Sequence, residues 1–144
     1  MKISTRVRYG IRLLIDLAEH IDEPHVSLAS IAERQTISAR YLEQVAVILR
    51  RAGYIRSVKG ASGGYTLARN PSDIIIGDAL RILEGDMLII DDLRPGEAES
   101  KLQHCVRTVV FDRLNKRISN VIDSVTLASM LGTVDPDASY MYFI

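Results

Sequence analysis

The length of 144 residues suits one compact domain or a small domain with a dimerisation arm, and the 47% of hydrophobic and 25% of charged residues are typical of an ordinary soluble protein. A single cysteine excludes an internal disulfide, and there is neither an apolar signal segment nor the roughly 20 apolar residues that cross a bilayer, so we expect a cytoplasmic protein that does not associate with a membrane. The net charge is zero, but residues 1–69 carry 11 Lys and Arg against 6 Asp and Glu, whereas residues 70–144 carry 7 against 12, which suits a protein whose first half faces phosphates.

The basic half predicts a helix-turn-helix. Apolar residues recur every three or four positions over residues 5–20, which indicates a first helix. A short second helix is expected over residues 27–35, and a turn leads into a third over residues 38–53, with serines placed to cap both. The expected buried stripe of the first helix is Val7, Ile11, Leu14, Ile15 and Ala18.

A β-hairpin follows the third helix. Two short β runs within residues 54–67 are separated by Lys59–Gly64, where three glycines in six residues permit a tight tip. Gly53 suits the end of the preceding helix because it adopts positive φ easily. The sequence therefore predicts a mainly α-helical fold with a small β wing, in which residues 1–70 form a winged helix-turn-helix domain that binds DNA.

The second half predicts a long helix. Residues 71–98 are expected to contain a connecting helix and a loop, with a possible strand at 87–92, and residues 99–132 the dimerisation helices. The long apolar stripe extends about six turns, or roughly 35 Å, which exceeds the core of one small subunit. We therefore expect a homodimer, although a long helix lying over its own domain is the alternative. The side chains expected at the dimer interface are Leu102, Val106, Val110, Leu114, Ile118 and Val121.

The third helix is the expected reading helix. Residues near the amino end of a helix in the major groove contact base edges, where Gln pairs with adenine, Arg with guanine, and Glu accepts from cytosine or repels a wrong site. Side chains near its carboxyl end, at the wing tip and at the start of the first helix are placed for phosphates or the minor groove. The alternative for each residue is a solvated surface. The candidate DNA-binding residues are Arg6, Arg8, Ser38, Arg40, Tyr41, Glu43, Gln44, Arg50, Arg51, Lys59, Gly60 and Ser62.

Other function classes find little support. There is no pairing of a nucleophile with a base and no metal-ligand spacing, and the glycine-rich tip lacks the lysine and following helix of a phosphate loop. We therefore expect no enzymatic activity. A protein-interaction module that does not bind DNA is a further alternative, against which the basic first half argues.

These motifs resemble the IscR, NsrR and CymR family of bacterial winged-helix regulators, and the resemblance covers nearly the whole chain. It implies a dimer that binds an inverted-repeat operator in double-stranded DNA through the second helix of the motif and the wing, and a long helix that builds the dimer interface. The segments that carry it are Met1–Thr5, Arg8–Gly10, Leu28–Ala32, Ser38 with Tyr41–Gln44, Leu49–Gly53, Gly60–Tyr65, Ile76–Asp78 and Ile82–Gly85.

The chain departs from the family at its iron–sulfur site. Many relatives hold a cluster on three cysteines before and at the start of the long helix, but here only Cys105 matches, and Thr108 stands where some relatives have histidine. One cysteine cannot supply the ligands of a cluster, so we expect no cofactor and no metal. Cys105 is then either an inert small side chain or a redox sensor.

Within the family the chain most resembles the cluster-free branch represented by CymR, which represses genes of cysteine metabolism. That resemblance implies a protein partner, the cysteine synthase O-acetylserine thiol-lyase. Residues 133–144 form the expected tail, and a free carboxylate on a β-branched apolar residue is a compact ligand for an amino-acid pocket. Alternatively the tail packs on the dimer. The expected partner-binding residues are Tyr140, Met141, Tyr142, Phe143 and Ile144.

Overall fold

The structure is a computed structural model that describes residues 2–134. The described chain contains seven α-helices and one antiparallel hairpin, in the order that the sequence predicts apart from the strand at 87–92. The elements are α1 (Thr5–Glu19), α2 (Leu28–Gln35), α3 (Ala39–Arg51), β1 (Ile55–Val58), β2 (Gly64–Leu67), a 3₁₀ turn (Pro71–Asp73), α4 (Ile76–Glu84), α5 (Lys101–Val106), a π-helical segment (Arg107–Phe111), α6 (Asp112–Asp123) and α7 (Leu127–Val134).

Helix α1 lies at the centre of the core. It packs against α3, α4 and α7, so a broad face of the helix is buried. Leu13 and Leu17 are fully buried, whereas Ile11 and Ile15, which the periodicity assigned to the core, are half-buried. Ile11 and Ile15 still pack against the core, so the predicted stripe lies at its edge, while the contacts with three helices also bury Leu13 and Leu17, which the prediction omitted.

Serine caps define the helix-turn-helix. The Ser27 hydroxyl accepts from the backbone N–H of Ser30 at 3.2 Å, and the Ser38 hydroxyl accepts from that of Tyr41 at 3.4 Å. Each satisfies one of the backbone donors that a helix start leaves free. Thr36, between the two helices, takes the left-handed conformation with φ of 55°. The turn therefore lies where the sequence predicts it.

The wing is fastened to the start of α2. Strands β1 and β2 pair in antiparallel register, and Tyr65 exchanges two backbone hydrogen bonds of 2.8 Å with Val26. At Gly64 a Cβ atom would lie 2.3 Å from the carbonyl oxygen of Val26. Only glycine allows this approach, so the Gly-Gly-Tyr sequence fixes the hairpin against the helix-turn-helix.

The strand expected over residues 87–92 is absent from the described chain, and that prediction was wrong. The segment is a loop whose backbone bonds to a side chain instead of to a strand. Asn115 of α6 accepts from the N–H of Ile89 at 2.8 Å and donates to the carbonyl of Ile90 at 3.2 Å. The amide therefore supplies locally the partners that a neighbouring strand would provide.

The long helix, defined here as residues 101–123, runs through α5, the π-helical segment and α6. It begins two residues later than predicted, at a capping box in which Ser100 and Gln103 exchange side-chain and backbone bonds. Its length of 23 residues corresponds to about 35 Å. Residues 135–144, with the partner-binding residues expected there, lie outside the described residues.

Among residues 2–134, none of the helices combines the length and the apolar character that crossing a membrane requires.

Candidate DNA-binding surface

One face of α3 is buried and the opposite face is free. Leu42, Val45 and Leu49 have no exposed surface, because they lie against α1 and the rest of the core. Arg40 and Gln44 are both exposed, and with the periodicity of an α-helix they lie opposite this stripe. A guanidinium and a carboxamide therefore point away from the protein at the amino end of an amphipathic helix.

The other predicted contacts on α3 divide into two groups. Ser38 and Glu43 are exposed near the amino end of the helix, beside Arg40 and Gln44. Arg50 and Arg51 are exposed at its carboxyl end, on average about 14 Å further along the axis. The structure thus brings the proposed base-reading side chains together and keeps the two arginines apart from them, at a distance suited to the phosphate backbone.

The wing tip and the start of α1 flank this helix-turn-helix. Lys59, Gly60 and Ser62 are exposed at the tip, and the segment around Ser62 lines a cleft with the residues that begin α2, including Ser27. At α1, Arg6 is exposed. Arg8, also exposed, has a guanidinium that donates to the hydroxyl of Thr5 at 3.2 Å.

Tyr41 occupies a different environment from its neighbours. Its side chain is half-buried and packs on the core, and its ring meets that of Tyr9 edge-to-face, with centroids 5.3 Å apart and planes at 87°. This contact places the second turn of α1 beside the amino end of α3. Tyr41 therefore lies at the margin of the exposed face rather than at its centre.

A buried carboxylate joins α1 to α2, and the sequence analysis did not identify it. Asp16 is fully buried and accepts two hydrogen bonds from Arg34, at 2.6 and 3.1 Å, and one from Gln35 at 2.9 Å. Burial by itself raises the pKa of the Asp16 carboxyl, but the hydrogen bonds from Arg34 and Gln35 outweigh it and leave the pKa below the ordinary value. The available signal was an acidic residue inside the apolar run Leu13–Leu17.

The Arg69 side chain caps the carboxyl end of α3, a role that the sequence analysis also missed. Its guanidinium donates to the carbonyls of Ala52 and Gly53, both at 3.1 Å, and stacks 4.3 Å from the centre of the Tyr54 ring. Gly53 follows the helix with φ of +80°, as the sequence predicts for its C-terminal glycine. Some of the basic residues among residues 1–69 therefore stabilise the fold and are not available to bind DNA.

Comparisons with known proteins identify the family to which the chain is similar. A family model described as "Rrf2: Iron-dependent Transcriptional regulator" matches residues 3–133. The chain is 36% identical to the HTH-type transcriptional regulator CymR of Bacillus subtilis, over 100% of both chains. The structure of T. potens IscR is similar with a TM-score of 0.76 and 44% identity, over 99% of this chain and 96% of that one. The structure of B. subtilis CymR, described as the global cysteine regulator, gives a TM-score of 0.78 and 38% identity, over 91% and 96%.

These similarities confirm the predicted family and the predicted winged-helix fold. The relatives are named as transcriptional regulators, which agrees with the prediction that the chain is not an enzyme.

The iron in the family description does not fit the side chains present. Cys105 is the single cysteine of the chain, and it is exposed at the start of the long helix. Its neighbour His104 contacts Glu99 at 3.0 Å, and Thr108 donates to the carbonyl of His104. Within residues 2–134 no group of three or more His, Cys, Asp or Glu side chains is arranged to hold a metal ion. A cluster needs several thiolate or imidazole ligands, and this donor set does not provide them.

Proposed function

The chain belongs to the Rrf2 family of transcriptional regulators and is a DNA-binding regulator, and from this premise we propose that it is a homodimeric repressor that binds an inverted-repeat operator. The observation that carries the proposal is the free face of α3, on which Arg40 and Gln44 stand opposite the buried stripe. A helix of this kind fits the major groove, which is about 12 Å wide.

We assign base contacts to the amino end of α3. Gln44 is placed for an adenine edge and Arg40 for a guanine edge, while Glu43 accepts from a cytosine amino group or repels the phosphates of a wrong site. Ser38 and Tyr41 contact phosphate or a thymine methyl group. We assign backbone and minor-groove contacts to Arg6, Arg8, Arg50 and Arg51, and to Lys59, Gly60 and Ser62 of the wing.

The experiment has two stages. An operator is first selected from random duplexes with the full-length protein, and Gln44→Ala is then compared with the wild type by fluorescence anisotropy at fixed salt. Loss of a good bidentate contact weakens binding by about 1–3 kcal/mol, and the preference at the contacted base pair relaxes. Asn120→Ala, at an exposed position on the long helix, serves as the control. Unchanged operator affinity in Gln44→Ala excludes α3 as the reading helix.

The long helix supports the dimer. Its apolar side chains are unusually exposed for a monomer, with 74% of Leu102 and 63% of Val121 accessible. Steps of four residues, as from Val110 to Leu114, drift by about 40° per step around a straight α-helix. The π-helical segment turns less per residue than an α-helix and therefore acts against this drift. The proposed interface consists of Leu102, Val106, Val110, Leu114, Ile118 and Val121.

We further propose that the regulated genes serve cysteine and sulfur metabolism, and that a cysteine synthase, O-acetylserine thiol-lyase, modulates DNA binding. The similarity to CymR supports this, as does the single cysteine, which suits a regulator without a cluster. The proposed contact is the tail Tyr140–Ile144. A pull-down with full-length protein and with a variant lacking these five residues tests it. Retention of the enzyme by both proteins, or by neither, refutes the tail as its binding element.

A second candidate is a redox-sensing regulator that acts through Cys105, favoured by the exposure of this thiol in the described subunit. Its neighbour Arg107 is already paired with Glu99 and Asp112, at 2.8 and 3.0 Å, so that guanidinium is not free to activate the thiol. The test compares operator affinity with and without oxidant for the wild type and for Cys105→Ser. A response that persists in Cys105→Ser excludes this candidate.

A further inference from the structure

The contact between Tyr9 and Tyr41 joins the base-reading end of α3 to α1. The centroid distance of 5.3 Å and the interplanar angle of 87° are those of an edge-to-face pair, a geometry that aromatic rings favour. Both side chains are half-buried against the core. The ring of Tyr41 is therefore held in one orientation by a partner that lies outside the helix-turn-helix.

Tyr9 is itself held in place by a chain of polar contacts. The guanidinium of Arg12 lies over its ring, 5.8 Å from the centroid. Nε of Arg12 donates to the side-chain oxygen of Gln35 at 3.1 Å, and a second nitrogen donates to the backbone carbonyl of Gln35 at the end of α2. Gln35 in turn donates to the buried carboxylate of Asp16 at 2.9 Å. The Tyr9 ring is thus fixed relative to both helices of the motif.

We propose that Tyr9 is a positioning residue for DNA recognition, which acts by fixing the ring of Tyr41 at the amino end of the reading helix. The inference rests on the proposed function, since it requires that α3 reads the operator. The phosphate contacts assigned to Arg50 and Arg51 lie about 14 Å along the helix from Tyr41 and do not depend on this ring pair. Of the two contacts assigned to Tyr41, the relevant one is to a thymine methyl group, because a phosphate contact carries no sequence information. Loss of the Tyr9 ring therefore reduces the preference for operator over random DNA and leaves non-specific binding unchanged.

The test measures operator and random-duplex affinities of the full-length protein at a single salt concentration. Tyr9→Leu removes the ring, Tyr9→Phe retains it without the hydroxyl, and Tyr41→Leu with the double variant completes a thermodynamic cycle. Tyr9→Leu is expected to weaken operator binding by about three- to tenfold and random-duplex binding by less than about twofold, while Tyr9→Phe resembles the wild type. In the Tyr41→Leu background, Tyr9→Leu has no further effect.

Three results overturn the inference. If Tyr9→Phe loses as much operator affinity as Tyr9→Leu, the hydroxyl acts directly. If the losses of affinity in the cycle are additive, Tyr9 does not act through Tyr41. If operator and random duplex lose affinity equally, the defect is general. Unfolding curves are recorded for each variant, and Tyr9→Met, judged by the same criteria, replaces Tyr9→Leu if the latter does not fold. A wild-type protein without operator preference refutes the proposed function instead.

Discussion

Replacing the buried Asp16 by asparagine removes the charge that joins α1 to α2. Asp16 is the sole charged side chain in the described core, and it accepts three hydrogen bonds from Arg34 and Gln35. Removing one partner of a buried ion pair costs about 3–5 kcal/mol. Because the Arg34 side chain is 38% exposed, water can solvate its charge after the change, and we expect a smaller loss of about 2–3 kcal/mol in the free energy of unfolding.

Urea unfolding followed by circular dichroism measures this loss. Protein concentration is held fixed, because the stability of a dimer depends on it. Asp78→Asn is the matched control, since the Asp78 carboxylate is 58% exposed and lies 3.4 Å from Arg81 in a surface pair. Its loss is expected to be below about 1 kcal/mol. Equal effects of the two substitutions refute the assignment of a structural role to the buried carboxylate.

The pH dependence gives a second check. The pKa of Asp16 is lowered in the folded protein, although burial alone raises it, because the hydrogen bonds from Arg34 and Gln35 prevail. A carboxyl with a lowered pKa stabilises the fold above its unfolded pKa, about 4, and this contribution is lost as pH falls through the folded pKa. The difference in free energy of unfolding between wild type and Asp16→Asn is therefore constant above about pH 5 and becomes smaller below pH 4. If this difference stays constant below pH 4, the charge of Asp16 is not its source.

Three further substitutions test packing, assembly and phosphate contact. In Gly10→Ala the new Cβ would lie 2.5 Å from Cδ1 of the buried Leu83, so we expect the free energy of unfolding in urea to fall by about 1–3 kcal/mol. Gly132→Ala is the control, because no described atom lies within 4 Å of its new Cβ, and we expect no loss of stability. Equal effects of the two substitutions contradict the close packing of α1 on α4. Leu114→Glu places a charge in the proposed dimer interface, and light scattering should show a monomer; a dimeric mass would place the interface elsewhere. Arg51→Ala should reduce the slope of log affinity against log salt by about 1, and an unchanged slope excludes a phosphate contact there.

The sequence was most informative where local signals were strong. Serine caps and apolar periodicity located the helices of the helix-turn-helix, because capping and amphipathicity act within one or two turns. The glycine-rich tip predicted the wing for a similar reason. The apolar stripe expected within residues 99–132 was too long for the core of one subunit, and Leu102 and Val121 of that stripe are exposed in the described subunit.

Contacts between distant segments could not be predicted in the same way. The stretch 87–92 has the apolar character of a strand, but the amide of Asn115, more than 20 residues away, bonds its backbone and no strand forms. Similarly, nothing near Asp16 in the chain indicates that Arg34 and Gln35 surround it.

The order of the elements, the winged-helix fold and the free face of α3 were therefore determined by the sequence alone, because each depends on residues a few positions apart. The tertiary structure decided which polar side chains serve the fold and which remain available to DNA. Arg12, Arg34 and Arg69 are engaged within the protein, whereas Arg40 and Gln44 point outward. The physical reason is that a charged side chain pairs with the groups that lie next to it in the folded protein. Helix packing, rather than the adjacent residues in the chain, decides which groups those are.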